Sequence, residues 1–222
     1  MGRMEREAFA KRLAWNRVIP AVRDDAGLKR ALQSFHDIIF VLYGDILNLE
    51  SHVNAILKAG KLPFIHLDMI HGLANNPVVL EYFYRHFKRE CGVITTKNAM
   101  AKKAQEMDIL VVQRYFMLDS LALESVSESI GKAGEDAIEI MPGILPRIIE
   151  YLSHRTSVPV IAGGLIQTPR DVERILGSGA VAVSTTRTEL WSLNRDSPAL
   201  NPPPVPNPAP APPSGPAAEP VR

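Results

Sequence analysis

With 222 residues, 46% of them hydrophobic and 22% charged, the chain can bury one large core. Its formal net charge of +1 argues against a surface that coats nucleic acid broadly, while leaving room for a local basic patch. A lone cysteine, Cys91, excludes a disulfide framework, and no apolar run reaches the ~20 residues of a membrane span, so a soluble, cytoplasmic protein is expected.

Residues 1–16 carry many charges, with Phe9, Leu13 and Trp15 at near-helical spacing, and predict a helical N-terminal extension. Residues 17–194 then alternate short apolar runs with amphipathic stretches. The strand candidates are 18–23, 38–43, 63–69, 92–96, 109–116, 137–141, 159–162 and 181–184. Most are β-branched and apolar on both faces, as buried parallel strands are. Helical patterns such as 46–59 and 99–107 lie between them, several closed by a glycine, Gly60 and Gly134 among them. About eight strand–helix units fit this length only with short loops, which predicts an α/β fold, a (β/α)8 TIM barrel. A doubly wound sheet is the competitor, but no G-x-G-x-x-G follows the first strand. Residues 195–222 are Pro/Ala-rich; proline removes donors and blocks both helix and sheet, so a disordered, extended tail is expected there.

In a barrel the C-terminal strand ends share one mouth. In order they offer Arg23, Asp45, His66 with Asp68, Thr95 with Lys97, Gln113 with Arg114, Glu139, Gly163 with Gly164, and Ser184 with Thr185. Several have plain structural readings: Asp45 as a helix N-cap, His66 as a hydrogen-bonded core imidazole, Gln113 as an interior layer residue. Asp68, Lys97, Arg114 and Glu139 are the stronger ligand-binding candidates, with His66 beside them, because an unpaired charge at a buried strand end is costly. A structural ion-pair ring is the alternative. His66, Asp68 and His71 have ligand chemistry, yet lone histidines are seldom metal sites, and neither a metal nor a cofactor is expected.

The last two strands end in tandem small-residue turns, Ala162-Gly163-Gly164-Leu165 and Val183-Ser184-Thr185-Thr186. Between them Thr168-Pro169-Arg170-Asp171 reads as an N-cap, a proline at the first helical position and an acidic first turn. Paired turns at this place in a barrel make a phosphate site, so Gly163, Gly164, Ser184 and Thr185 are the phosphate-binding candidates, with a helix N-terminus behind them.

Four segments together are more specific: His66-Leu67-Asp68-Met69-Ile70-His71-Gly72-Leu73, Val112-Gln113-Arg114-Tyr115-Phe116-Met117-Leu118-Asp119-Ser120, Ile138-Glu139-Ile140-Met141-Pro142-Gly143 and Ile161-Ala162-Gly163-Gly164-Leu165-Ile166. In this order they resemble the glycerol-3-phosphate-responsive antiterminator family over roughly residues 18–191. The resemblance implies a barrel that senses glycerol 3-phosphate and acts on leader mRNA to prevent premature termination in glycerol uptake operons. It implies a phosphate on the tandem turns and glycerol hydroxyls facing Asp68 and Glu139, with Lys97 and Arg114 balancing charge. Lys97 stands where many members carry another basic residue.

No RRM, KH or zinc-knuckle pattern marks an RNA surface; basic groups cluster only locally, at residues 85–89, at Lys102-Lys103 and in the run from Lys11 to Arg17. Two other classes stay open from the residues. One is a phosphosugar isomerase, lyase or glycerol-phosphate transferase using Asp68, Lys97 and Glu139 as acid and base. The other is a scaffold whose protein partner is reached through the tail. Homo-oligomerisation is left open by the sequence.

Overall fold

The computed structural model describes residues 3–73 and 76–193, so the Pro/Ala-rich segment 195–222 lies outside the described residues. A first helix, α1 (Arg3–Trp15), precedes the strands. These are β1 (Val18–Val22), β2 (Ile38–Val41), β3 (Leu62–His66), β4 (Gly92–Thr95), β5 (Val111–Phe116), β6 (Ala137–Met141), β7 (Val160–Gly163) and β8 (Ala182–Thr185). All neighbours are parallel, and β8 pairs with β1 to close the barrel. The outer helices are α2 (Asp25–Gln33), α3 (Leu49–Lys58), α4 (Val78–Phe87), α5 (Asn98–Glu106), α6 (Ser120–Ser129), α7 (Pro146–Ser153) and α8 (Pro169–Gly177). The chain is a (β/α)8 barrel in which a 3-10 turn, Thr188–Ser192, replaces the last helix. Within that turn the Trp191 indole N–H donates to the Thr185 carbonyl at 2.9 Å, and the Trp191 carbonyl meets His36 Nε2 at 2.9 Å.

The two-faced apolar runs explain this closure. Odd and even residues of each strand serve different cores: Ile39, Ile65, Val93 and Ile138 pack against the helices, while Phe40, Phe64, Ile94 and Ala137 fill the barrel. A one-residue slip would exchange the two sets. Gly92 marks the tightest interior place, since a Cβ there would run into the Phe64 ring.

The barrel floor is closed by α1. Phe9 and Leu13 join the interior cluster, with the Phe9 and Phe64 rings 5.2 Å apart. Each such side chain contributes roughly 1.5–3 kcal/mol by burial. Trp15, the third apolar residue of that spacing, stays 55% exposed.

Several boundaries differ from the sequence expectation. β3 stops at His66, and Leu67–Met69 form a 3-10 turn that lifts Asp68 above the strand. α3 starts at Leu49, because the Asp45 carboxylate accepts the N–H groups of Leu47 and Asn48 at 2.8 and 3.1 Å and folds a separate turn first. α6 ends at Ser129, so Gly134 sits in the following loop; Gly60, at φ +74, does follow the end of α3.

Candidate functional site at the barrel mouth

One step above the apolar interior, the inward alternation turns polar. Glu139 is fully buried, and the Arg114 Nε donates to its Oε2 at 2.6 Å. The Ser184 hydroxyl donates to the other carboxylate oxygen. Strand register delivers these groups: Arg114 is opposite Glu139, and Gly163 is opposite Ser184. A Cβ on Gly163 would strike the Glu139 carboxylate and lie 2.6 Å from Ser184 Oγ, so the absence of a side chain there lets β8 reach a carboxylate on β6. Removing one partner of such a buried pair leaves an uncompensated charge, at a cost of about 3–5 kcal/mol.

His66 and Asp68 form a second group, from β3 and its turn. The Asp68 Oδ2 accepts the Thr96 N–H at 3.0 Å and the Thr96 hydroxyl at 3.2 Å. His66 is 2% exposed, its Nδ1 lies 3.8 Å from Asp68 Oδ2, and that nitrogen has no hydrogen-bond partner among the described residues. Burial, and next the charge of Arg114, push the imidazole down to about 4 against the pull of Asp68. It is therefore neutral at neutral pH.

The turn after β7 holds Gly164 at φ +77 and Leu165 at φ +60, consecutive left-handed residues. The Thr185 hydroxyl donates to the Ile166 carbonyl at 3.2 Å and accepts the Arg187 N–H at 3.1 Å, pinning the β7 and β8 turns together. Among the described residues the backbone N–H groups of Gly164, Leu165 and Thr186 donate no hydrogen bond. The N-terminus of α8 has the expected Thr168 N-cap, first-turn proline and acidic Asp171, closed into a capping box. Thr168 Oγ1 accepts the Asp171 N–H at 3.2 Å, and the Asp171 carboxylate accepts the N–H groups of Thr168 and Gln167 at 2.9 and 3.1 Å. Burial alone would raise the Asp171 carboxyl, but these bonds and the Thr168 hydroxyl outweigh it and hold it low. The helix end thus carries its own anion, the Asp171 carboxylate.

A cavity of about 250 Å³ opens over these groups. Arg114, Glu139, Gly164, Ser184 and Thr185 line it, with Leu42 and Met141 as apolar walls. That is below the roughly 300–1,000 Å³ of sites for drug-sized ligands and suits a small molecule. Gln167 and Arg187 also line it, and neither stood among the candidates read from strand ends. The signal that could have found Arg187 is its place as the basic residue just after the Ser184-Thr185-Thr186 turn. His66, Asp68 and Lys97 do not line the cavity. Lys97 is exposed, its side chain does not cap α5, and it makes no pair with Asp68. Gln113 faces outward and donates to the Asn98 side chain on α5, because β5 turns Arg114 inward.

Fold and site together define a (β/α)8-barrel protein with a small polar mouth closed around a buried ion pair. Residues 18–191 match the family described as glycerol-3-phosphate responsive antiterminator, and the chain belongs to that family. It is 36% identical over 181 residues to the uncharacterized protein YgcP of Escherichia coli K12, covering 82% of this chain and 94% of that one. A glycerol uptake operon antiterminator regulatory protein from Listeria monocytogenes superposes with a TM-score of 0.74 at 31% identity, over 78% of this chain and 94% of the other. For an antiterminator-related protein from Thermotoga maritima the values are 0.70 and 30%, over 79% and 98%. Deoxyribose phosphate aldolase from Aeropyrum pernix, at 12% identity and a TM-score of 0.61 over 85% of this chain and 96% of that one, shares the fold alone.

Proposed function

We propose that this chain is a glycerol-3-phosphate-responsive transcription antiterminator that binds its effector at the mouth and contacts leader mRNA to regulate glycerol uptake genes. The observation that carries this reading is the family match across the entire barrel, residues 18–191. The cavity supports it chemically. The phosphate dianion rests on the turns of Gly163-Gly164 and Ser184-Thr185, held by the N–H groups of Gly164, Leu165 and Thr186 and by Arg187. Arg114, anchored through Nε by Glu139, adds positive charge from the opposite wall. The glycerol end lies toward Glu139 and, beyond it, the neutral His66.

Sensing fits these groups better than turnover. Both Glu139 oxygens already hold partners, Asp68 is engaged by Thr96, and Lys97 stands outside the cavity. Among the described residues that line the cavity, no acid–base pair is left facing the ligand. No cofactor is required by this reading. Retention of a terminator-bearing leader RNA is the test: its affinity changes on adding glycerol 3-phosphate, while glycerol 3-phosphate itself is not consumed. Consumption that disappears in Glu139→Gln would instead establish an enzyme.

A further inference from the structure

Beside the mouth a second cavity of about 310 Å³ opens between the turn after β1 and the turn after β8. Three arginines line it: Arg23 beyond β1, Arg30 on α2 and Arg187 beyond β8. The Arg30 Nη1 donates to Thr188 Oγ1 at 3.4 Å, which draws it toward the β8 side. Two carboxylates face them, Asp24 and Glu189. Asp24 is engaged as the N-cap of α2, accepting the Gly27 N–H at 2.6 Å, so its charge is partly committed to that helix.

The two cavities are not independent. Ala21, Thr186 and Arg187 line both of them. A guanidinium carries five N–H donors in a planar fork, enough to face one anion on each side. Ordering that long side chain on one anion removes the entropy cost of ordering it for the next.

We propose that the second cavity takes a phosphodiester group of the bound RNA, so that Arg187 joins the RNA to the effector phosphate. The proposal rests on the antiterminator reading above and adds to it a location for RNA and a route for coupling. Arg23 and Arg30 hold the RNA phosphate, the mouth turns hold the effector phosphate, and Arg187 serves both. By linkage each ligand raises the affinity of the other by the same factor, about fivefold or more for an ordinary coupling.

The test uses the full chain, calorimetry with glycerol 3-phosphate, and a labelled leader transcript of a glycerol uptake operon carrying its terminator stem. RNA affinity is read against salt, with and without effector. In Arg23→Glu/Arg30→Glu the RNA affinity falls, and the log–log salt slope shrinks by about 1.4, the equivalent of two single-strand phosphate contacts. Effector affinity in that variant stays within about twofold of the original, since neither residue lines the mouth. Arg187→Ala weakens both ligands and abolishes their coupling. Arg85→Glu/Lys102→Glu removes the same charge from two outer helices and leaves the salt slope unchanged.

Retention of RNA by Arg23→Glu/Arg30→Glu at the original affinity and slope would overturn the second site, as would equal loss in the Arg85→Glu/Lys102→Glu control. Coupling that survives Arg187→Ala would overturn the shared role. An original chain that ignores the leader RNA altogether overturns the antiterminator reading itself, a distinct outcome because no variant is needed to see it.

Discussion

At the floor of this barrel, α1 lays Phe9 and Leu13 over Phe40 and Phe64, and the neighbouring Lys61 is held away by the Ser34 and His36 carbonyls, to which its Nζ donates at 2.6 and 2.7 Å. At the mouth, the same inward alternation places Glu139, Arg114 and Ser184 in contact. A crevice of about 360 Å³ also opens under α1, larger than the mouth cavity; Arg12, Lys61, Arg89 and Glu90 line it beside Phe9, Leu57, Leu62 and Leu110, but among the described residues it holds no buried ion pair like Arg114–Glu139. Size therefore does not locate the site; buried charge does. The floor contributes mainly apolar packing, and the mouth holds its buried ion pair at a cost in stability.

That contrast is breakable at several points. The largest effect is expected at the mouth, where Glu139→Ala leaves the Arg114 guanidinium uncompensated and lowers unfolding stability by about 3–5 kcal/mol in urea titration. Adding Arg114→Met recovers much of the loss, because the orphaned charge is gone; a double variant no more stable than the single one would show that packing, not charge, governs the site. At the floor, Leu13→Ala costs about 2–5 kcal/mol through the cavity it leaves. It leaves glycerol 3-phosphate affinity unaltered by calorimetry, and a shift in affinity would deny the separation of the two ends.

The next effect is in pH. The fold holds His66 at about 4, below its ordinary 6.5, so the unfolded chain binds this proton first as pH falls. Stability from the neutral imidazole is therefore complete above pH 6.5 and lost between 6.5 and about 4, to a total on the order of 3 kcal/mol. Urea midpoints measured at pH 7.5 and 5 decline accordingly, and His66→Gln flattens the decline. The smallest effect is at α8, where Asp171→Ala removes the reciprocal cap and costs about 1 kcal/mol. Because that cap occupies the helix end, effector affinity changes little; a large loss would return the phosphate to α8.

The barrel was legible because its strands are apolar on both faces, a pattern that only a sheet buried on both sides requires. The tandem turns were legible through their small residues. Parity within β5 was not: Val111 and Val112 are equally apolar, so nothing in the run told Gln113 from Arg114, and the strand turns Arg114 inward and Gln113 toward α5. Lys97 illustrates the same limit at a strand end, where Thr96, one residue earlier, makes the contact with Asp68. Arg187 escaped because it lies past its strand, where the path of a turn, not the period of a strand, decides what a side chain lines. Residue types alone left sensing, catalysis and scaffolding open; the multi-segment resemblance to the family favours sensing.

The central claim, that the mouth is a glycerol 3-phosphate sensor site, is tested most directly by unfolding the full chain with glycerol 3-phosphate or with glycerol alone. At ~100 times its dissociation constant the phosphorylated ligand adds roughly 2.7 kcal/mol to the folded state, and glycerol adds nothing comparable. The gain disappears in Gly164→Asp, with circular dichroism unchanged, because a carboxylate then stands in the anion's turn. No shift in the original chain at millimolar glycerol 3-phosphate, or an undiminished shift in Gly164→Asp, would contradict the account.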